Sequence, residues 1–100
     1  MLIYRFLKKI ILKYVDIGEK KKAQEILEIS EQFFMPGDLM SRVIINYAQL
    51  IYCYYFIDEK KGKNQLQDTL RFLKRIGAID CRNTLKMQYD KRITKKNRSE

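Results

Sequence analysis

The chain reads as a series of apolar runs cut at regular intervals by short polar turns. In residues 2–17 the polar positions Arg5, Lys9, Lys13 and Asp16 follow helical spacing, and Leu2, Phe6, Leu7, Ile10, Ile11, Tyr14 and Val15 fill most of the rest. This predicts a first helix that is apolar over most of its surface, ended by Gly18. A second helix, about Glu19–Phe34, turns Ala23, Ile26, Leu27, Ser30, Phe33 and Phe34 to one side in conventional amphipathic fashion. Met35-Pro36-Gly37-Asp38 is the strongest break, with Asp38 placed to cap the next helix. That third helix, Leu39–Ile57, is the most hydrophobic. Its polar residues Arg42, Asn46 and Gln49 fall at i, i+4 and i+7, with Cys53 continuing the line, so they form one narrow stripe. Asp58 caps a fourth helix, about Glu59–Ile76, with Leu66, Thr69, Leu70, Leu73 and Ile76 inward and a left-handed exit at Gly77. Asp80 is expected to cap a fifth, about Cys81–Ile93, carrying Leu85, Tyr89 and Ile93 in register. Residues 94–100 have no apolar content and are expected to form a basic disordered tail.

Two of these segments are degenerate copies. Residues 18–34 align with residues 57–73 at an offset of 39, so that Ala23 falls on Gly62, Leu27 on Leu66, Ser30 on Thr69 and Phe33 on Phe72. Periods of ~20–50 residues mark stacked helical repeats. One such unit cannot bury its apolar face alone and needs neighbours. The expected fold class is therefore all-α, about five antiparallel helices stacked as a helical repeat over residues 1–93. Around the first turn, Tyr14, Gly18, Ala23 and Leu27 resemble the tetratricopeptide pattern, in which an aromatic, a turn glycine and a small residue let two helices pack closely. That resemblance implies a fragment of a right-handed superhelix.

Composition narrows the function classes. At 46% apolar and 33% charged residues the chain is globular rather than disordered, and one proline with four glycines leaves little material for hairpins. The net charge of +9 is uneven: residues 1–22 carry about +5 (seven basic, two acidic), residues 23–59 about −5 and residues 60–100 about +9. A small basic nucleic-acid-binding protein using the lysine-rich ends is one reading of this charge, and solvated helix faces are the plainer one. The chain has no histidine, which removes histidine metal sites and histidine-based nucleophile pairs. No cofactor is expected. Glu25, Glu28, Glu31 and Glu59 fall on faces expected to be exposed, and no glycine-rich phosphate loop is present, so a non-enzyme is expected. Cys53 and Cys81 are far apart, consistent with reduced thiols and a cytoplasmic location. Leu39–Ile57 is almost long enough to span a bilayer, but Arg42, Asn46 and Gln49 inside it would be costly there, so it is expected to be a buried core helix with no membrane partner.

A longer stretch carries a further resemblance. Asn46-Tyr47-Ala48-Gln49-Leu50-Ile51-Tyr52, then Asp58-Glu59-Lys60-Lys61-Gly62, then Leu70-Arg71-Phe72-Leu73-Lys74-Arg75-Ile76-Gly77, with Tyr89 spaced beyond, is similar to the C-terminal domain of Rgg/MutR/GadR-type transcriptional regulators of Gram-positive bacteria. The similarity covers roughly residues 14–93. It implies a tetratricopeptide-like domain that senses a short apolar peptide pheromone (quorum sensing) and forms a homodimer. The family's DNA-binding helix-turn-helix has no counterpart in these 100 residues, so DNA would be reached only through a separate N-terminal domain. A generic helical-repeat scaffold for a protein partner is the alternative.

Within either frame, Arg42, Asn46 and Gln49 are the polar residues suited to a peptide. Carboxamides can donate to and accept from one peptide unit at once, and an arginine can pair with a carboxylate in a two-pronged contact. The alternative is that the stripe is simply where the third helix meets water. Tyrosines supply stiff apolar area with a polar end. Of Tyr47, Tyr52, Tyr54 and Tyr55, the pair Tyr47 and Tyr54 shares a face and joins Arg42, Asn46 and Gln49 as candidates for peptide contact. A scaffold or dimer half would instead leave an apolar patch uncovered over the first helix.

Overall fold

The computed structural model describes residues 2–32 and 39–99 and is all-α: five helices, with no strand among the described residues. They are α1 (Leu2–Asp16), α2 (Lys20–Gln32), α3 (Leu39–Phe56), α4 (Glu59–Arg75) and α5 (Ile79–Ser99). Packing divides the chain into two compact units, Met1–Leu66 and Gln67–Glu100, and the boundary falls inside α4. Among the described residues no helix is long and apolar enough to cross a membrane.

Helix ends follow local chemistry. Gly18 and Gly77 both have φ near +80°, a conformation that costs residues with a Cβ about 1–2 kcal/mol. At the first, the Glu19 amide donates to the Tyr14 carbonyl (2.8 Å) and the Gly18 amide to the Val15 carbonyl (3.1 Å). At the second, Ala78 donates to Leu73 (2.9 Å) and Gly77 to Lys74 (3.1 Å). Both are the paired bonds that close a helix on a left-handed residue. The exit from α3 works without glycine, because the Cys53 carbonyl accepts from both Ile57 (3.0 Å) and Asp58 (2.9 Å). Asp58 then caps α4 as expected, its Oδ1 accepting from the amides of Lys60 (2.9 Å) and Lys61 (3.3 Å). Glu59 and Lys63 add an exposed i, i+4 ion pair at 3.2 Å.

The first unit is organised around α1, which packs against both α2 and α3 more extensively than those two pack on each other. Its inner face is Tyr4, Ile11 and Val15; α2 contributes Ala23, Leu27 and Ser30, whose hydroxyl bonds back to the Ile26 carbonyl at 2.8 Å. α3 is buried around most of its circumference, from Ser41 to Tyr54, as its composition predicts for a core helix. Lys8 reaches from α1 over the Tyr47 ring (5.3 Å to the centroid), and Lys22 reaches from α2 over Tyr14 (5.8 Å). Such contacts contribute about 0.5–1 kcal/mol at exposed sites and more when desolvated.

The 39-residue repeat has a structural counterpart. Ala23 and Gly62 are each the fourth residue of their helix and each donates the first intrahelical bond, to Glu19 (3.1 Å) and Asp58 (3.0 Å). Both are buried, as are Leu27 and Leu66. At Gly62 the reason is visible: a Cβ there would lie 2.8 Å from Tyr54 Cα, Cβ and N. The second unit contains the end of α4 and all of α5, with Leu70, Leu73, Leu85 and Tyr89 buried.

Three expectations are corrected. α5 begins at Ile79, and the Ala78 carbonyl accepts its first bond from Arg82 (3.0 Å), so Asp80 is a first-turn acid rather than the cap. There it still complements the positive helix end. The helix also continues past Ile93 to Ser99, since residues 94–99 contain no glycine or proline to stop it. Ile76 is exposed, not inward, because it lies beyond the last residue of α4. Phe72, aligned with Phe33 in the repeat but not among the residues expected inward, is exposed. Asp38 as a cap, and Phe33 and Phe34 as inward residues, lie outside the described residues.

Two glycines should respond differently to alanine. Gly18→Ala meets no atom within 4 Å, so its cost is conformational alone, about 1–2 kcal/mol. Gly62→Ala gains about 1 kcal/mol of helix propensity but must push α4 away from the α3 backbone, and overpacking of this kind costs about 1–3 kcal/mol. Urea denaturation should show both variants destabilised, with Gly62→Ser losing more than Gly62→Ala. A Gly62→Ala protein as stable as the parent would mean the close approach is not maintained.

Candidate functional site

Two surfaces can be built from the residues upward. The first is the polar stripe on α3. Arg42 and Gln49 are exposed and Asn46 is half-buried, so the line reaches solvent over two turns and then runs inward. Its last member, Cys53, is buried, with Sγ 3.9 Å from the Asp58 carbonyl. Cys53 and Cys81 are both free thiols.

The two tyrosines grouped with this stripe are placed elsewhere. Tyr47 is 2% exposed and faces the Lys8 ammonium, and Tyr54 is buried where α4 approaches at Gly62, with its ring edge-on to Tyr55 at 5.3 Å. Helical spacing correctly puts them on one face, but that face is the packed one. Their area holds α1 and α4 to α3. The structure therefore keeps Arg42, Asn46 and Gln49 together at the surface and separates Tyr47 and Tyr54 from them.

Tyr52 links α3 to α2. Its hydroxyl donates to Gln24 Oε1 (3.4 Å), and Gln24 Nε2 donates to Glu28 Oε1 (3.3 Å). Burial first, then the Glu28 carboxylate and then Cys53, raise the Tyr52 hydroxyl above the ordinary 10.0. The other carboxylates considered for chemistry, Glu25, Glu31 and Glu59, are exposed.

The second surface is the outer face of α1. Ile3, Phe6 and Ile17 are 59%, 63% and 61% exposed, and Ile10 between them is half-buried. These positions fall at i, i+3, i+7 and i+14, one line along the helix that Lys13 interrupts at i+10, and Arg5 and Lys9 stand exposed beside it. The line survives past Asp16 because the Ile17 amide still donates to Lys13 (3.1 Å). An uncovered apolar patch over the first helix is what an interaction surface requires. Its spacing is the signal available in the sequence, masked there by the equally apolar inner face.

Comparison of the chain with protein-family models, with curated proteins and with solved structures finds no match.

The raised Tyr52 hydroxyl has a testable sign. A folded-state value above the unfolded one adds stability that is complete below pH 10.0 and is lost as pH rises through the folded value. Urea melts at pH 8 and pH 11 should show a drop for the parent that is smaller in Tyr52→Phe, while at pH 8 the variant loses about 1 kcal/mol or less for the long hydrogen bond. Equal drops in the two proteins would assign the alkaline loss to other tyrosines.

Proposed function

We propose that this chain is a helical interaction domain that binds another polypeptide through the outer face of α1. The observation that carries the proposal is the uncovered line Ile3, Phe6, Ile10 and Ile17 on a helix whose opposite face is fully engaged in the core. Scattered exposed apolar residues need no explanation, but a line of them along one helix, broken only at Lys13, does. The domain's fold supports this role, since a helix held rigidly by two neighbours presents its free face without a further ordering cost.

A second reading, the peptide-sensing and dimerisation domain of an Rgg-like regulator, draws on the accessible carboxamides of Asn46 and Gln49 beside Arg42. It places an extended apolar peptide along α3 rather than a partner helix along α1.

One experiment separates the two. With benzoylphenylalanine in place of Phe6 or of Gln49, irradiation in the cells that naturally make the protein should give a polypeptide adduct from position 6 and none from position 49. An adduct of only short-peptide mass from position 49 would transfer support to the peptide sensor. Adducts from neither position would sink both readings.

The peptide sensor makes its own demand. A short apolar peptide should raise the melting temperature at low and at high salt, and Asn46→Ala should abolish the rise. No rise with any such peptide removes that reading.

A further inference from the structure

The line on α1 has the spacing of a two-helix seam. Ile3, Phe6, Ile10, Lys13 and Ile17 occupy alternate steps of three and four, the a and d positions of a heptad repeat with isoleucine at every a. Lys9 stands at the flanking g position, and Arg5 lies one step further round on the same side. Along α1 the seam spans about 21 Å, from ~1.5 Å per residue. It is narrow, because Leu7 and Tyr14 on one side of it turn toward the core and the other side is the charged flank of Arg5, Lys9 and Asp16. A lipid surface is met by a broad apolar arc, whereas a single seam is matched by one other helix.

Charge then selects the kind of helix. Arg5, Lys9 and Lys13 are exposed along one side, and Asp16 is the helix's single acid. Lys13 sits within the seam itself, where an unmatched ammonium would be buried at a cost of several kcal/mol. A carboxylate on the partner removes that cost. A second copy of α1 supplies too few: in parallel register Lys13 meets Lys13, and in antiparallel register the flank that meets itself carries Asp16 as its single acid against Arg5 and Lys9. Nor does the chain's own acidic helix serve, since α2 exposes Glu25, Glu28 and Glu31 with only Ile29 among its large apolar residues.

We infer that the outer face of α1 docks an amphipathic helix of a different polypeptide, apolar along its seam and carrying carboxylates opposite Lys9 and Lys13. The inference rests on the α1 interaction surface proposed above and names its partner's chemistry.

The test uses the whole chain and a fluorescein-labelled synthetic peptide of three heptads, leucine at the seam and glutamate at the flanks. A peptide with lysine for glutamate and vesicles of anionic phospholipid are the comparison probes. The acidic peptide should bind at least about tenfold more tightly than the basic one, and binding should weaken with added salt. Ile3→Ser with Phe6→Ser should weaken it by about tenfold or more, because attraction of a basic surface for an acidic peptide would survive those changes. Lys9→Glu with Lys13→Glu should reverse the preference between the peptides. All four positions are exposed, and far-ultraviolet circular dichroism confirms that each variant is folded before binding is read. Equal binding of both peptides, binding to vesicles but to neither peptide, or no binding by the folded parent each overturns the inference. If position 6 gives a polypeptide adduct in cells while the acidic peptide is ignored, the interaction surface stands and only the partner's chemistry is wrong.

Discussion

The first unit depends on one helix being gripped by two others. Tyr4, Ile11 and Val15 of α1 form the shared floor on which α2 and α3 rest, and Ile11 is wholly removed from solvent. Burying such side chains contributes about 1.5–3 kcal/mol each, so this face alone outweighs any polar contact in the unit. The lysine–aromatic contacts, Lys8 on Tyr47 and Lys22 on Tyr14, then brace α1 from its two sides. Because the grip is one-sided, the opposite face of α1 is held still and left open. Rigidity and exposure of that face have the same cause.

Close approach sets the second hairpin. The α3–α4 packing brings the α4 backbone so near Tyr54 that no side chain fits at position 62, while the equivalent position in α2 tolerates a methyl at Ala23. The two copies of the repeat therefore share the helix start and the buried leucine four residues on, but differ in how tightly they seat. They also differ in the exit before each copy, a left-handed glycine after α1 and a doubly used Cys53 carbonyl after α3. Aspartate at position 58 compensates in the second copy, since its carboxylate satisfies two amides that open the next helix.

Much of this is legible in the sequence because helix boundaries are written in local chemistry. Gly18, Asp58 and Gly77 act within one turn of themselves, and each marks the boundary expected of it. The start of α5 escapes such reading because Asp80 is acceptable both as a cap and as a first-turn acid, and spacing cannot separate the two. Its end escapes because a lack of apolar residues is not a stop signal. The candidate site suffers from a different ambiguity. In α3, almost every side is apolar, so periodicity says which residues share a face but not which neighbour covers it. Tyr47 and Tyr54 do share a face, and it is a buried one, whereas Arg42, Asn46 and Gln49 are polar enough to mark the side that meets water. In α1 two apolar faces overlie one another in the pattern, and only packing distinguishes the gripped face from the open one.

The order of synthesis gives the double-faced α1 a temporal consequence. Its inner face is complete once Asp16 has been added, but the second of the two helices that cover that face, α3, is not finished until Phe56, about forty residues later. At ~5–20 residues per second this is a wait of about 2–8 s. During that interval α2 alone can cover part of the inner face, and the part that awaits α3 lies open together with the outer face. A nascent-chain chaperone would meet this segment at its stickiest, and the four basic residues along α1 keep it dispersed by mutual repulsion until α3 arrives.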